Sequence, residues 1–228
     1  MSEIDIGRAA FSPLVHAVLL MFLLVRPPHP RIRAPLLAVE VAALLFSLGS
    51  VGMRLAGSSA EFETQLLVSY TGLIFLSPLW LIVAIRLRSF ERGDARIGWQ
   101  AAERSILVAA AAVWLLAVSN PYHEQFLTVR FGAQSEFHWA WWIHAALGYG
   151  CTALSAALFA REWLKARSPS SRGRFGILVV SSTLGVAANV VYLAFLPKEA
   201  TDPSPEAVAV SACLLVFGVQ RFGLFGVS

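Results

Sequence analysis

The sequence predicts an all-α membrane protein, a bundle of seven transmembrane helices with the N-terminus outside and the C-terminus in the cytoplasm. Three observations carry that prediction. Of the 228 residues, 57% are hydrophobic and only 14% charged, with a mean hydropathy of +0.66, outside the range of soluble globular domains. Seven apolar runs can be marked, each near the roughly 20 residues that a helix needs to cross the hydrocarbon. The basic residues fall almost entirely in alternate loops.

The first run, Phe11 to Val25, follows a segment of mixed charge, and the basic cluster comes after it. That is not the pattern of a cleaved signal peptide, so the span is expected to stay in the protein. The second run, Pro35 to Met53, holds Glu40 about a turn from its cytoplasmic end, where an acid is expected to snorkel or to pair with Arg33. The third and fourth are Leu66 to Ile85 and Ile106 to Ser119. The longest outer loop follows, Pro121 to His138, in which Phe126, Thr128 and Arg130 alternate with Leu127, Val129 and Phe131 before Gly132. This alternation reads as a short extracellular hairpin between the fourth and fifth helices, turning near Gly132 to Ser135. An irregular loop lying on the headgroups is the competing reading, and either would serve as a lid. The fifth, sixth and seventh runs are Trp139 to Phe159, Phe175 to Leu196 and Ala207 to Phe222. Pro and Gly interrupt several runs, as membrane helices tolerate, and none alternates as a barrel strand would. No internal repeat is found, so residues 1–228 read as a single domain.

Orientation follows from the basic residues, which short cytoplasmic loops retain. Arg26, Arg31 and Arg33 lie in the first loop, and Arg86, Arg88, Arg92, Arg96 and Arg104 in the third. Arg161, Lys165, Arg167, Arg172 and Arg174 lie in the fifth, and Arg221 at the end, so one face holds 14 of the 18 basic residues. The other face has Arg8, Arg54, Arg130 and Lys198 against Glu3, Asp5, Glu61, Glu63, Glu124, Glu136, Glu199, Asp202 and Glu206. The net charge of +4 and the pI near 9.5 therefore reflect topology and contact with an anionic lipid bilayer, and give no argument for a nucleic-acid partner. Cys151 and Cys213 both fall inside spans, where a free cysteine behaves as a small hydrophobe.

Helical periodicity places residues three, four and seven apart on one face. Polar and small residues form such stripes at His144, Gly148, Cys151 and Ser155, at Ser182, Gly185, Asn189 and Tyr192, and at Tyr70 and Ser77. Close helix packing and interhelical hydrogen bonds explain much of each stripe. Depth discriminates further. With alternate spans running inward and outward, His16, Tyr70 and His144 sit below the outer surface, Asn189 and Tyr192 approach the same level, and Asn120, Tyr122 and His123 lie just above. The inner half is nearly all aliphatic apart from Glu40. This is the pattern of an outward-facing small-molecule pocket, with His16, Tyr70, Asn120, His123, Trp142, His144, Asn189 and Tyr192 as its expected ligand-binding set. Of Trp139, Trp141 and Trp142, two are expected to be interfacial anchors and Trp142 to turn inward. His123 also reads as an ordinary loop histidine, His16 as a helix residue bonded to a neighbour, and Asn120 as a helix terminator before Pro121.

Other chemistry finds little support. His16, His123 and His144 follow no metal-site spacing, so no metal and no cofactor is expected. A retinal Schiff base needs a lysine within a helix, and Lys165 and Lys198 both lie in loops. No nucleophile elbow, phosphate loop or inward pair of carboxylates appears, so no catalytic residue is expected.

Five segments in order carry a family likeness: Y-T-G-L-I-F-L-S-P-L-W from Tyr70 to Trp80, S-N-P-Y-H from Ser119 to His123, W-W-I-H-A-A-L-G-Y from Trp141 to Tyr149, A-A-N-V-V-Y from Ala187 to Tyr192, and Q-R-F-G-L-F from Gln220 to Phe225. Through them the chain resembles the N-terminal seven-helix sensor region of bacterial histidine kinases, also found fused to diguanylate cyclases. The resemblance implies a receptor in the bacterial inner membrane that senses an extracellular or membrane-borne small ligand. It further implies relay through the last helix to a cytoplasmic output domain or protein, with a homodimer as one arrangement and no enzyme activity in this chain. It names no ligand. Gly223 and Gly226 stand where the family tends to have polar residues, which would loosen a helical connection. No kinase follows, so the chain is expected to be either a truncated sensor or a stand-alone protein with a separate output. A structural or interaction subunit, in which the stripes serve packing alone, is the alternative, and a small-solute transporter is a third.

Overall fold

A computed structural model describes residues 3–92, 97–128, 136–195 and 202–222. In chain order the elements are α1 (Glu3–Val25), α2 (Pro30–Leu55), α3 (Ser59–Arg92), α4 (Ile97–Val118), the four-residue α5 (Asn120–His123), β1 (Leu127–Thr128), β2 (Glu136–Phe137), α6 (Trp139–Lys165), α7 (Pro169–Phe195) and α8 (Ser204–Phe222). Five helices, α2, α3, α4, α6 and α7, contain segments long and apolar enough to cross a membrane. The flanking helices α1 and α8 carry shorter apolar stretches, Ala10–Val25 and Ser204–Gly218.

The long helices overrun the apolar runs that mark them in the sequence. Helix α3 extends over 34 residues where its apolar run is Leu66 to Ile85, because hydropathy marks only the part immersed in hydrocarbon while backbone hydrogen bonding continues beyond it. Helix α2 begins five residues before its apolar run. Pro30 occupies its first turn, where a missing N–H costs nothing, and His29 caps it by accepting the Arg31 N–H. The expected hairpin is present as two antiparallel rungs, Leu127 opposite Phe137 and Thr128 opposite Glu136. Its turn, near Gly132 to Ser135, lies outside the described residues, as do Gly223 and Gly226.

The helices close into a ring. Helix α2 packs against α3, α3 against α6, α6 against α7, α7 against α8, α8 against α1, and α1 against α2. Helix α4 sits outside that ring on α3 and α6, with Trp114 Nε1–H donating to Thr71 Oγ1 at 3.1 Å.

The α2–α3 seam is the tightest join in the ring, because small residues let the two backbones meet. A Cβ on Gly72 would collide with the backbone of Ala42 and Phe46, and one on Gly49 with the backbone of Gln65 and Ser69. Two apolar cores close the ends of the bundle. Leu23, Ile32, Leu36, Val83, Leu87, Phe159, Phe175 and Leu178 fill the end carrying the α1–α2 turn. At the other end Phe126 and Leu127 tuck under the hairpin against Ile74, Val113, Ala140 and Trp141.

Candidate functional site

Between the two cores the ring helices line a partly open cavity of about 190 Å³, comparable with the roughly 150 Å³ that admits benzene in an engineered core. All six ring helices line it and α4 does not. Tyr70, Ser77 and Trp80 come from α3, Trp141, His144, Tyr149 and Thr152 from α6, and Ser182, Asn189 and Tyr192 from α7. Helix α1 contributes His16 and α2 contributes Glu40.

At the hairpin end the lining is aromatic. Trp141 Nε1–H donates to Tyr70 Oη at 2.9 Å, and Phe137 stacks on Trp141 at 4.2 Å between ring centres. His144, 6% exposed, meets Tyr70, Phe126 and Trp141 through tilted and edge contacts of 5.9 to 6.2 Å. The loop before α6 thus roofs the cavity with Phe126 and Phe137, each a neighbour of a lining side chain.

Below that roof, polar pairs stitch the wall. Tyr149 Oη–H donates to Asn189 Oδ1 at 2.6 Å, Thr152 Oγ1–H to Ser77 Oγ at 3.1 Å, and Trp80 Nε1–H to Ser182 Oγ at 2.7 Å. Ser182 in turn donates to Leu178 O at 2.6 Å. Each pair joins two different helices, as hydroxyls and amides do in a medium without competing water.

His16 and Glu40 face each other across α1 and α2, with Nδ1 to Oε2 at 3.0 Å and exposures of 1% and 2%. This overturns the expectation that Glu40 snorkels or pairs with Arg33. His16 precedes the end of α1 by nine residues and Glu40 follows the start of α2 by ten, so both stand roughly 14 Å above the connecting turn. Both line the cavity, well away from that turn.

Asp202 lies just before α8 and also lines the cavity. It accepts from Ser204 N at 2.8 Å and Ser204 Oγ at 2.6 Å. Arg54 at the end of α2 bonds Glu206 Oε1 at 3.0 Å and Asp202 O at 3.2 Å. Burial pushes the Asp202 carboxyl above the ordinary carboxylate range and the Glu206 charge adds to the rise, against the pull of the Ser204 hydrogen bonds and Arg54.

Of the residues expected to form a pocket, His16, Tyr70, His144, Asn189 and Tyr192 line this one cavity. Asn120, His123 and Trp142 do not. Asn120 is buried, but its side chain is consumed by the loop: Oδ1 accepts the N–H groups of Phe126 and Leu127, and Nδ2 donates to Leu127 O at 2.7 Å. His123 accepts the Gln125 N–H at Nδ1, which leaves Nε2–H to donate to Ser119 Oγ at 3.1 Å. Trp142 is 60% exposed and Trp141 is the inward tryptophan. Helical phase explains the exchange. Trp141 stands three residues before His144, on its face, whereas Trp142 stands two before it, on the opposite side. The same phase would have found Tyr149, and an acid inside an apolar run is itself a signal for Glu40. Trp80, three residues after Ser77, is marked by the same rule, whereas nothing in the local pattern marks Asp202. Among the described residues no group of three or more His, Cys, Asp or Glu is placed to hold a metal ion.

A ring of apolar helices around a cavity lined with isolated polar pairs defines a multi-pass helical membrane protein. The chain belongs, more narrowly, to the family described as the N-terminal 7TM region of histidine kinase, whose family model matches residues 9–228. That region is a membrane sensor domain, not a catalytic domain. No curated protein and no solved structure matches the chain.

Proposed function

We propose that the protein crosses the bacterial inner membrane seven times with its N-terminus outside, and binds a small extracellular or membrane-borne ligand in the ring cavity. Binding shifts α8 against its neighbours and so alters a cytoplasmic output partner. The observation that carries this reading is that α8 forms part of the cavity wall, through Ser204, Val208, Ser211, Ala212 and Leu215, while also being the last helix described. The proposed ligand contacts are His16, Tyr70, Trp141, His144, Asn189 and Tyr192. The apolar plug at the α1–α2 end supports sensing over transport, since a solute route would have to cross Leu23, Ile32, Val83 and Phe175.

Gly148 supplies the test, because it lines the cavity and a Cβ there would meet no atom within 4 Å. Gly148→Phe is expected to fill the cavity without unfolding the protein. Small molecules that co-purify with the wild type, read by mass spectrometry after denaturation, are expected to be lost from this variant. His144→Ala and Asn189→Ala are expected to change signalling in cells at normal membrane levels. Identical co-purified molecules and unchanged signalling in all three variants would overturn the cavity assignment.

A further inference from the structure

The His16–Glu40 dyad limits what the cavity can accept, an inference that rests on the cavity reading above. Both side chains are buried and line the cavity, and His16 Nε2 has no hydrogen-bond partner among the described residues. The dyad is a single contact, Nδ1 to Oε2 at 3.0 Å, buried where an uncompensated charge is costly.

Two arrangements of its protons leave the dyad neutral overall. In one, an imidazolium pairs with a carboxylate. In the other, a protonated Glu40 donates to the Nδ1 lone pair. Nε2 carries a hydrogen in both, since a neutral imidazole accepting at Nδ1 must be protonated at Nε2. The remaining arrangement, neutral His16 donating Nδ1–H to ionised Glu40, would bury a negative charge with no countercharge. The dyad therefore presents a hydrogen-bond donor that the protein leaves without an acceptor, and a buried donor left unmade is costly.

We propose that His16 is the polar anchor of the cavity, and that the ligand is a small neutral amphiphile whose accepting oxygen, as in a ketone or lactone, takes the Nε2–H. Neutrality follows from the remaining lining: it holds two acids, Glu40 and Asp202, and no Lys or Arg, so a carboxylate or phosphate would find no fixed cation to pair with. An alkylammonium has only N–H donors and so nothing to accept the Nε2–H. The apolar part of the ligand has Val39, Ala43, Ala212 and Leu215 to lie against.

The test uses three probes of matched length, 2-heptanone, n-heptane and heptanoate, on the full chain in lipid nanodiscs. Thermal stabilisation is read beside the ¹⁵N signals of the histidine side chains. His16 Nε2 is expected to carry a proton before any probe is added. The ketone is expected to stabilise more than the alkane, and heptanoate not at all. His16→Asn places an amide nitrogen where Nδ1 was, so Glu40 keeps a partner while the Nε2 donor is removed. It is expected to retain the response to n-heptane and to lose ketone affinity roughly tenfold, the worth of one hydrogen bond. Glu40→Gln still donates to Nδ1 and is expected to keep the ketone preference. An unprotonated Nε2, equal stabilisation by ketone and alkane, or a ketone preference that survives His16→Asn would overturn the anchor while leaving the cavity reading standing. No response to any probe in the wild type would overturn both.

Discussion

The two sides of the ring are built differently. Along α2 and α3 the backbones touch, at Gly49 and Gly72, and half of the apolar window of α2 is buried. Along α7 only 17% of the corresponding window is buried; beyond Phe175 and Leu178 in the core at one end, its joins to the rest include the side-chain hydrogen bonds Trp80 to Ser182, Tyr149 to Asn189 and Ser181 to Ser211 O. One side is a frame in which a single atom too many cannot be accommodated. The other is a wall held at separate points, and walls of that kind open at lower cost than packed seams. A cavity between a stiff frame and a loosely held wall is suited to a change in wall position when it fills.

The sharpest way to break this contrast is to overfill the seam. Gly72→Val places a side chain against the backbone of α2 and is expected to cost more than about 3 kcal/mol, seen as loss of the monodisperse peak in detergent. A normal melting curve for this variant would show that the seam yields after all. On the other side, Trp80→Phe keeps most of the ring packing and removes the bond to Ser182. It is expected to cost about 1 kcal/mol by thermal unfolding, with the fold intact.

A titration probes the join between α2 and α8. The raised pKa of Asp202 means that the folded chain keeps a proton which the unfolded chain releases near the ordinary carboxylate value. Its contribution to stability is therefore complete at low pH and is lost as pH rises through the raised value. Asp202→Asn is expected to flatten that part of the melting-temperature profile, and an unchanged slope would remove Asp202 from the account. The smallest effect is expected at Gly148→Ala, where the added methyl meets open space. Stability should stay within about 0.5 kcal/mol of the wild type, and a larger loss would mean that the cavity is tighter than its walls indicate.

Much of this architecture was legible from apolar runs and small-residue stripes. The stripe Ser182, Gly185, Asn189 and Tyr192 lines the cavity throughout, because a 3.6-residue period leaves little choice about which residues share a face. Ring order was not legible. Nothing in the sequence of α4 says that it lies outside while α1 meets α8, since all these helices must be apolar in lipid whichever neighbours they have. Helix ends are not marked by hydropathy, so the sequence does not show that Pro30 to Ala34 belong to α2 and set Glu40 ten residues into it. Asn120 shows a different limit. An asparagine at a span end looks the same whether its amide serves a ligand or, as here, Phe126 and Leu127.

The contact between α1 and α8 has a consequence for biosynthesis. Ser12 of α1 donates to Pro205 O in the first turn of α8 at 2.8 Å and bonds Ser47 Oγ at 2.7 Å, so residues nearly two hundred positions apart complete one wall. A nascent chain that has inserted its first helices holds the His16–Glu40 pair on an open flank facing lipid, and the compartment comes into existence only when α8 arrives. Until then the half-made protein exposes buried polar groups to the bilayer, the kind of surface by which an unfinished membrane protein differs from a finished one.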